Sequence, residues 1–206
     1  NAKSTIQNAA VEDKEHDISF GKDNNGNIIK STMSTGDENS GTAPSISNKF
    51  ADIHNHRDNN PPSPGDIYSF IDGIINQPNF TIRYVIARGG DVYALVLTDR
   101  QAAINFNNNN PRVILTYLDS EGKERKYPPS FPDDIFDKIG EVQDYLFKNG
   151  VHSDLLRDES SFSYILQQYN VGLSLLKMNT SGEFKKIKTK ETNTNGNPSY
   201  TPDNCL

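Results

Sequence analysis

Two histidines and one aspartate have the side chains and the spacing in the sequence that binding of a metal ion requires. His54 and His56 follow a short apolar segment, and Asp66 comes ten residues after His56. In an extended chain, positions i and i+2 point to the same face, so both imidazoles can reach one metal ion. A carboxylate in the first turn of the next helix can supply a third ligand. Two histidines and one aspartate leave a fourth position for water, as in catalytic rather than structural zinc sites.

Residues 63–66 also have a purely structural interpretation. Ser63 fits the N-cap of a helix, Pro64 its first position and Asp66 its third, and this capping box can serve any helix. The apolar residues that follow have helical spacing and predict an amphipathic helix that ends at Pro78; they are Ile67, Phe70, Ile71, Ile74 and Ile75. The two interpretations are compatible, because the first turn of a helix can present a carboxylate to a metal ion.

The combined pattern H-x-H, a spacer and S-x-x-D resembles the signature of the JAMM metalloproteases, also called JAB or MPN-plus domains. This family includes deubiquitinating isopeptidases and prokaryotic RadC-like proteins, and the likeness is to its bacterial branch. The resemblance implies that His54, His56 and Asp66 bind Zn²⁺ and that Ser63 helps to stabilise a tetrahedral oxyanion. It also implies hydrolysis of an amide, peptide or isopeptide bond in a protein or peptide substrate, through a zinc-activated water.

The resemblance further requires a glutamate on an upstream strand as the general base. Glu15 opens a predicted strand, and a hairpin and a loop separate that strand from His54, which is the order found in the family. Glu12 is the alternative base. Glu38 lies in a loop of small polar residues and is the weakest of the three candidates.

Two features depart from the family pattern. The spacer between His56 and Ser63 is one residue shorter, and Arg57 stands where a proline often follows the second histidine. The likeness covers residues 1–100 well and residues 101–190 loosely. A second hypothesis therefore stays open, in which a JAMM-like fold serves as a binding or scaffold module without catalysis.

The four histidines and the single cysteine exclude richer metal sites. Metallo-β-lactamase-like enzymes need H-x-H-x-D-H, and Asn59 stands where the third histidine of that motif belongs. Amidohydrolase barrels need more histidines and a longer chain. Cys205 alone cannot build a cysteine-based zinc site or an iron–sulfur cluster. We expect His16 to be a surface residue on the opposite face of its strand, and His152 to follow a helix C-terminus.

The composition bounds the fold and the partners. The 206 residues suit one domain, and the hydrophobic fraction of 33% predicts a modest core with long polar loops. A net charge of −6 argues against nucleic-acid binding, and no apolar stretch is long enough for a membrane span. We expect one α/β domain over residues 1–190, a curved mixed sheet flanked by helices as in JAMM and cytidine-deaminase sandwiches. Residues 101–110 are expected to form a loop, and residues 191–206 a loose polar tail.

The first residue is Asn1 rather than Met, so we expect the N-terminus to be processed or trimmed. This start allows, without arguing for it, a third hypothesis: an effector or toxin-like domain of a longer, exported protein. The sequence leaves the substrate, the compartment and the oligomeric state open.

Overall fold

A mixed β-sheet flanked by helices organises the protein, as the sequence predicts. The computed structural model describes residues 2–9, 12–37 and 41–203, so Glu38 and Cys205 lie outside the described residues. The helices are α1 (Ala2–Ala9), α2 (Pro64–Asn76), α3 (Arg100–Asn109), α4 (Asp133–Lys148) and α5 (Asp154–Gln168). The strands are β1 (His16–Lys22), β2 (Ile28–Lys30), β3 (Ser34–Thr35), β4 (Ala51–Asn55), β5 (Ile82–Ile86), β6 (Val92–Leu97), β7 (Thr116–Leu118), β8 (Glu124–Lys126), β9 (Leu173–Met178), β10 (Phe184–Lys186), β11 (Thr189–Thr194) and β12 (Asn197–Pro202). Within these described ranges, no helix is long and apolar enough to cross a membrane.

The strand order of the main sheet is β10-β9-β6-β5-β4-β1-β2. The short strand β3 also pairs with β1, at the opposite end of β1 from β2. Strands β4 and β5 pair in parallel, and the other pairs of this sheet are antiparallel. Helix α2 connects the two parallel strands. This β-α-β unit places the carboxyl end of β4 close to the start of α2, and such strand ends are where α/β proteins bind ligands.

Apolar clusters cover the two faces of the sheet. The larger one joins the buried side of α2 to α4 and α5. The smaller one is built around Ile6 of α1 and includes Ile18 of β1 and Ile53 of β4. Because strand side chains alternate, Ile53 faces α1 while Asp52 and His54 face α2. The histidine face of β4 is therefore the face that α2 covers.

Residues 101–109 belong to helix α3, so the prediction of a loop over residues 101–110 was wrong. The side chain of Asp99 caps the helix and accepts a hydrogen bond from the backbone N–H of Ala102 at 3.0 Å. Ala102, Ala103 and Phe106 are buried. The asparagine run beyond Phe106 hides this pattern in the sequence, because asparagine is a weak helix former and three buried positions give little periodicity.

Residues 189–202 form the β11–β12 hairpin, so the prediction of a loose tail from residue 191 is corrected over that range. Asn195 and Gly196 both have positive φ angles, as a two-residue hairpin turn requires. Tyr200 of β12 is 3% exposed and packs edge-on against Tyr145 and Tyr164. Its hydroxyl donates a hydrogen bond of 2.6 Å to Glu141. One buried tyrosine thus fixes a polar segment against α4 and α5.

Replacing Tyr200 by alanine is expected to lower the free energy of unfolding by about 3 kcal/mol, because a buried aromatic ring is lost and leaves a cavity. Urea denaturation followed by circular dichroism measures this change. The control is Tyr127→Ala, since Tyr127 is 51% exposed and its removal should cost much less. Equal effects of the two substitutions would show that the hairpin is not packed as described.

Candidate metal centre

The carboxyl end of β4 positions both histidines of the motif. His54 lies within the strand, and His56 continues its extended course because its backbone N–H donates to the Ile86 carbonyl at 2.8 Å. This bond extends the pairing with β5 beyond Asn55. The i and i+2 side chains then share one face of the sheet, as the sequence predicts. Both imidazoles are buried, with exposures of 5% for His54 and 9% for His56.

Asp66 brings a carboxylate between the two imidazoles. Its Oδ1 lies 2.9 Å from Nε2 of His54, and its Oδ2 lies 3.1 Å from Nε2 of His56. The two Nε2 atoms are 3.4 Å apart. A tetrahedral zinc ion with bonds of about 2.0–2.1 Å holds its ligand atoms about 3.3 Å apart. The two Nε2 atoms therefore lie at nearly the spacing that one such ion requires. Each of them has a different oxygen of Asp66 beside it, and the group could hold a metal ion.

The first turn of α2 fixes the Asp66 carboxylate. The backbone N–H and the hydroxyl of Ser63 donate to Asp66 Oδ2 at 2.7 and 2.8 Å. The backbone N–H of Asp66 donates to Ser63 Oγ at 3.2 Å, which completes the predicted capping box. The capping and ligand interpretations of this segment thus coexist, because one carboxylate contacts both the helix start and the histidines.

The loop after β4 orients His56. Nδ1 of His56 lies 3.3 Å from the carbonyl oxygen of Asn60, which can accept its proton. A proton on Nδ1 leaves the lone pair of Nε2 free for a metal ion. Such an outer hydrogen bond is typical of histidines that bind metals.

The electrostatics of the group suit a cation. Burial would raise the pKa of Asp66, but the attraction of His54 and His56 holds that pKa well below its ordinary value. Burial would lower the pKa of His56, but Asp66 and, more weakly, Glu15 raise it to about 9. In the absence of a metal ion, the carboxylate therefore keeps a proton on the imidazole. Binding of a divalent cation would displace that proton.

Glu15 lies beside His54, His56 and Asp66, the candidate metal-binding group, whereas Glu12 does not. Glu15 directly precedes β1 and lines one cavity with His54, Ser63 and Asp66, and a smaller one with His56. Burial raises the pKa of Glu15, and the attraction of His54 opposes that rise. Glu12 has a side chain that is 61% exposed and lies 3.4 Å from Nε2 of His16. Of these two glutamates, the structure brings Glu15 to the site.

His16 is buried rather than on the surface, so the prediction of a surface histidine was wrong. It is 2% exposed, and its Nδ1 lies 3.1 Å from the hydroxyl of Thr35. Strand β1 lies inside the sheet between β4 and its partners β2 and β3, which is why a histidine on it is covered. His16 is not part of the group formed by His54, His56 and Asp66.

A cluster of buried charged side chains, which the motif does not include, lies next to the site. Asp52 is 1% exposed and accepts two hydrogen bonds of 3.0 Å from Arg83 and one of 2.8 Å from Lys49. Arg83 also donates to the Asp66 carbonyl at 3.3 Å and to the Ser69 hydroxyl. The cluster thereby ties the first turn of α2 to β4 and β5. The one sign of this cluster in the sequence is that Asp52 and His54 are two positions apart on β4 and therefore point to the same face.

A cavity of about 400 Å³ opens beside the group. Its walls include Glu15, Asp17, Phe80 and Arg112, and Pro129 after β8 closes one side. A space of this size can hold a small ligand. The metal-binding group therefore lies at the wall of an open cleft rather than in a closed interior.

Comparison of the chain with protein-family models, with curated proteins and with solved structures gives no match. The class that the fold and the site define is thus a mixed α/β protein with a buried His-His-Asp group that could bind a metal ion. The likeness to JAMM proteins rests on the motif residues.

Proposed function

We propose that the protein is a zinc-dependent hydrolase of the JAMM type that cleaves an amide, peptide or isopeptide bond. The observation that carries this proposal is that two imidazole nitrogens lie at nearly the ligand spacing of a tetrahedral ion and that both contact the same carboxylate. A set of two nitrogens and one oxygen from the protein is typical of catalytic zinc sites. The adjoining cleft provides space for a substrate.

A zinc ion held by His54, His56 and Asp66 would act as a Lewis acid and lower the pKa of a water molecule to about 7. Glu15 then takes the proton of the attacking water and passes it to the leaving amine. A carboxylate whose pKa is raised by burial is suited to both steps, because it accepts a proton more readily near neutral pH.

Ser63 is proposed to donate a hydrogen bond to the oxyanion of the tetrahedral intermediate. Donors of this kind are worth about 3–4 kcal/mol in the transition state. In this structure the Ser63 hydroxyl donates to Asp66 Oδ2, so it must rotate to reach a substrate oxygen. That rotation gives up one hydrogen bond to a charged carboxylate, worth about 1.5–3 kcal/mol, and the backbone N–H of Ser63 still holds the carboxylate.

Replacing Glu15 by glutamine is expected to lower the rate of peptide hydrolysis about 100-fold, because glutamine cannot accept the proton. Zinc affinity should change less than about tenfold, because Glu15 is not one of the three ligands. Hydrolysis of a quenched fluorescent peptide library by the zinc-loaded protein measures the first quantity, and titration calorimetry measures the second.

Glu12→Gln is the matched control for Glu15→Gln. It removes the same charge from a mostly exposed side chain that lies toward His16. Activity of this variant should equal that of the wild type. If Glu12→Gln lost the activity and Glu15→Gln kept it, the assignment of the base would be reversed.

A second candidate function is a zinc-binding module without catalysis. The engagement of the Ser63 hydroxyl by Asp66 favours it, as does the shortened spacer that positions Ser63. Zinc bound by the wild type, together with no hydrolysis of the peptide library or of isopeptide-linked substrates, would select this candidate over the hydrolase.

A further inference from the structure

Asp17 is a buried carboxylate on the same face of the sheet as the metal-binding group. It lies directly opposite His54 in the antiparallel register of β1 and β4. Its neighbour Ile18 packs in the cluster under α1, so the alternation of β1 directs Asp17 to the other face. The Asp17 side chain also lines the cleft together with His54 and Asp66.

The Asp17 carboxylate is costly in this position. Asp17 is 5% exposed, and its Oδ2 has no hydrogen-bond partner among the described residues. Gly41 packs so closely that a Cβ atom there would lie 2.0 Å from Asp17 Oδ2. A buried carboxylate without full hydrogen bonding destabilises a fold, and an apolar or amide side chain would avoid that cost. A functional reason for the acid is therefore needed.

Across the pairing of β1 with β4, the residue that faces Asp17 is His54. Arg83 and Lys49 are already bound to Asp52. His54, whose Nε2 points at Asp66, has the other nitrogen of its ring, Nδ1, for an outer partner.

We propose that Asp17 is a positioning residue for the metal site, whose carboxylate holds the His54 imidazole in the orientation and tautomer that present Nε2 to the cation. His56 has a carbonyl oxygen beside its Nδ1. For His54, the strand register places the Asp17 carboxylate on the same face, and binding of the cation would bring it to Nδ1 of His54 as the outer partner. A carboxylate partner makes the imidazole a stronger ligand than a carbonyl does. This inference rests on the metal site of the proposed function, but not on hydrolysis.

Asp17→Asn tests the inference because asparagine has nearly the same volume and fits under Gly41. The dissociation constant for Zn²⁺, measured by competition with a chelating dye, should rise about 10- to 100-fold. The absorption spectrum of the Co²⁺-loaded variant should also change, because that spectrum reports how the ligands are oriented. Thermal unfolding of the metal-free variant should occur at the same or a higher temperature, because a buried charge is removed.

Asp72→Asn is the matched control. Asp72 lines the same cleft and carries the same charge, but it is bound to Arg112 at 2.7 Å. Its Zn²⁺ affinity and Co²⁺ spectrum should match those of the wild type. An equal loss of affinity in both variants would mean that net charge alone is responsible, and this result would overturn the positioning role.

The outcomes separate this inference from the proposed function. Weaker metal binding in Asp17→Asn, in a wild type that hydrolyses nothing, supports the inference and counts against the hydrolase. Unchanged affinity and an unchanged Co²⁺ spectrum in Asp17→Asn, in a wild type that does hydrolyse peptides, overturns the inference and leaves the hydrolase standing. A wild type that binds neither Zn²⁺ nor Co²⁺ overturns both.

Discussion

Replacing His56 by alanine is expected to abolish the binding of Zn²⁺. The Nε2 of His56 lies 3.1 Å from the Asp66 carboxylate and 3.4 Å from Nε2 of His54, so its removal leaves two of the three ligand atoms. Losing an outer partner of a metal ligand costs about 10- to 100-fold in affinity, and losing a ligand itself should cost more than about 100-fold. Titration calorimetry should show about one Zn²⁺ per wild-type chain and no binding to the variant.

His152→Ala is the control for this experiment. His152 is exposed, follows α4 and packs its ring edge-on against Phe147, away from the metal-binding group. Its removal should leave zinc affinity unchanged. Circular dichroism should show both variants folded, because the His56 position is held by backbone pairing to β5. Retention of tight zinc binding by His56→Ala would show that the ion binds elsewhere.

Replacing Asp52 by asparagine is expected to lower the free energy of unfolding by about 3–5 kcal/mol. Asp52 is the carboxylate shared by Lys49 and Arg83, and all three side chains are less than 10% exposed. The substitution removes the carboxylate to which two buried cations are bonded, and breaking one side of a buried ion pair has a cost of this size. Urea denaturation at neutral pH measures it. Asp72→Asn, which removes a half-exposed partner of Arg112, should cost less than about 1 kcal/mol.

The effect of Asp52→Asn should also depend on pH in a defined direction. Burial raises the pKa of Asp52, but Arg83 and Lys49 lower it more, so the folded-state pKa lies below the ordinary value of 3.8. A lowered folded-state pKa stabilises the protein above the unfolded-state value, and this contribution is lost as the pH falls through the folded-state value. The stability difference between wild type and variant should therefore be full above about pH 4 and should shrink at lower pH. A difference that grew on acidification would contradict this ion cluster.

The grouping of His54, His56 and Asp66 could be predicted from the sequence because it depends on local structure. Strand parity alone places His54 and His56 on one face, and a capping box alone places Asp66 in the first turn of α2. Glu15 could be chosen only through the strand order that the JAMM resemblance implies, because its position alone does not distinguish it from a surface carboxylate. The family resemblance adds roles to these residues, and those roles remain predictions.

The rest of the site depends on contacts between distant segments. Asp17 meets His54 only because β1 pairs with β4 in one register, and a shift of one residue would turn it to the other face. Arg83 reaches Asp52 through the parallel pairing of β4 and β5. The β11–β12 hairpin has a readable turn at Asn195 and Gly196, but its strands are polar, and burial of Tyr200 against α4 and α5 is a tertiary effect.

The most direct test of the metal centre is a crystal structure of the zinc-loaded wild-type protein, with anomalous differences measured at the zinc edge. We predict one strong peak at about 2.0–2.1 Å from Nε2 of His54, from Nε2 of His56 and from the Asp66 carboxylate. Glu15 should face that peak from the start of β1. A protein that retains no zinc after loading, or a peak coordinated by other residues, would contradict the proposed metal centre.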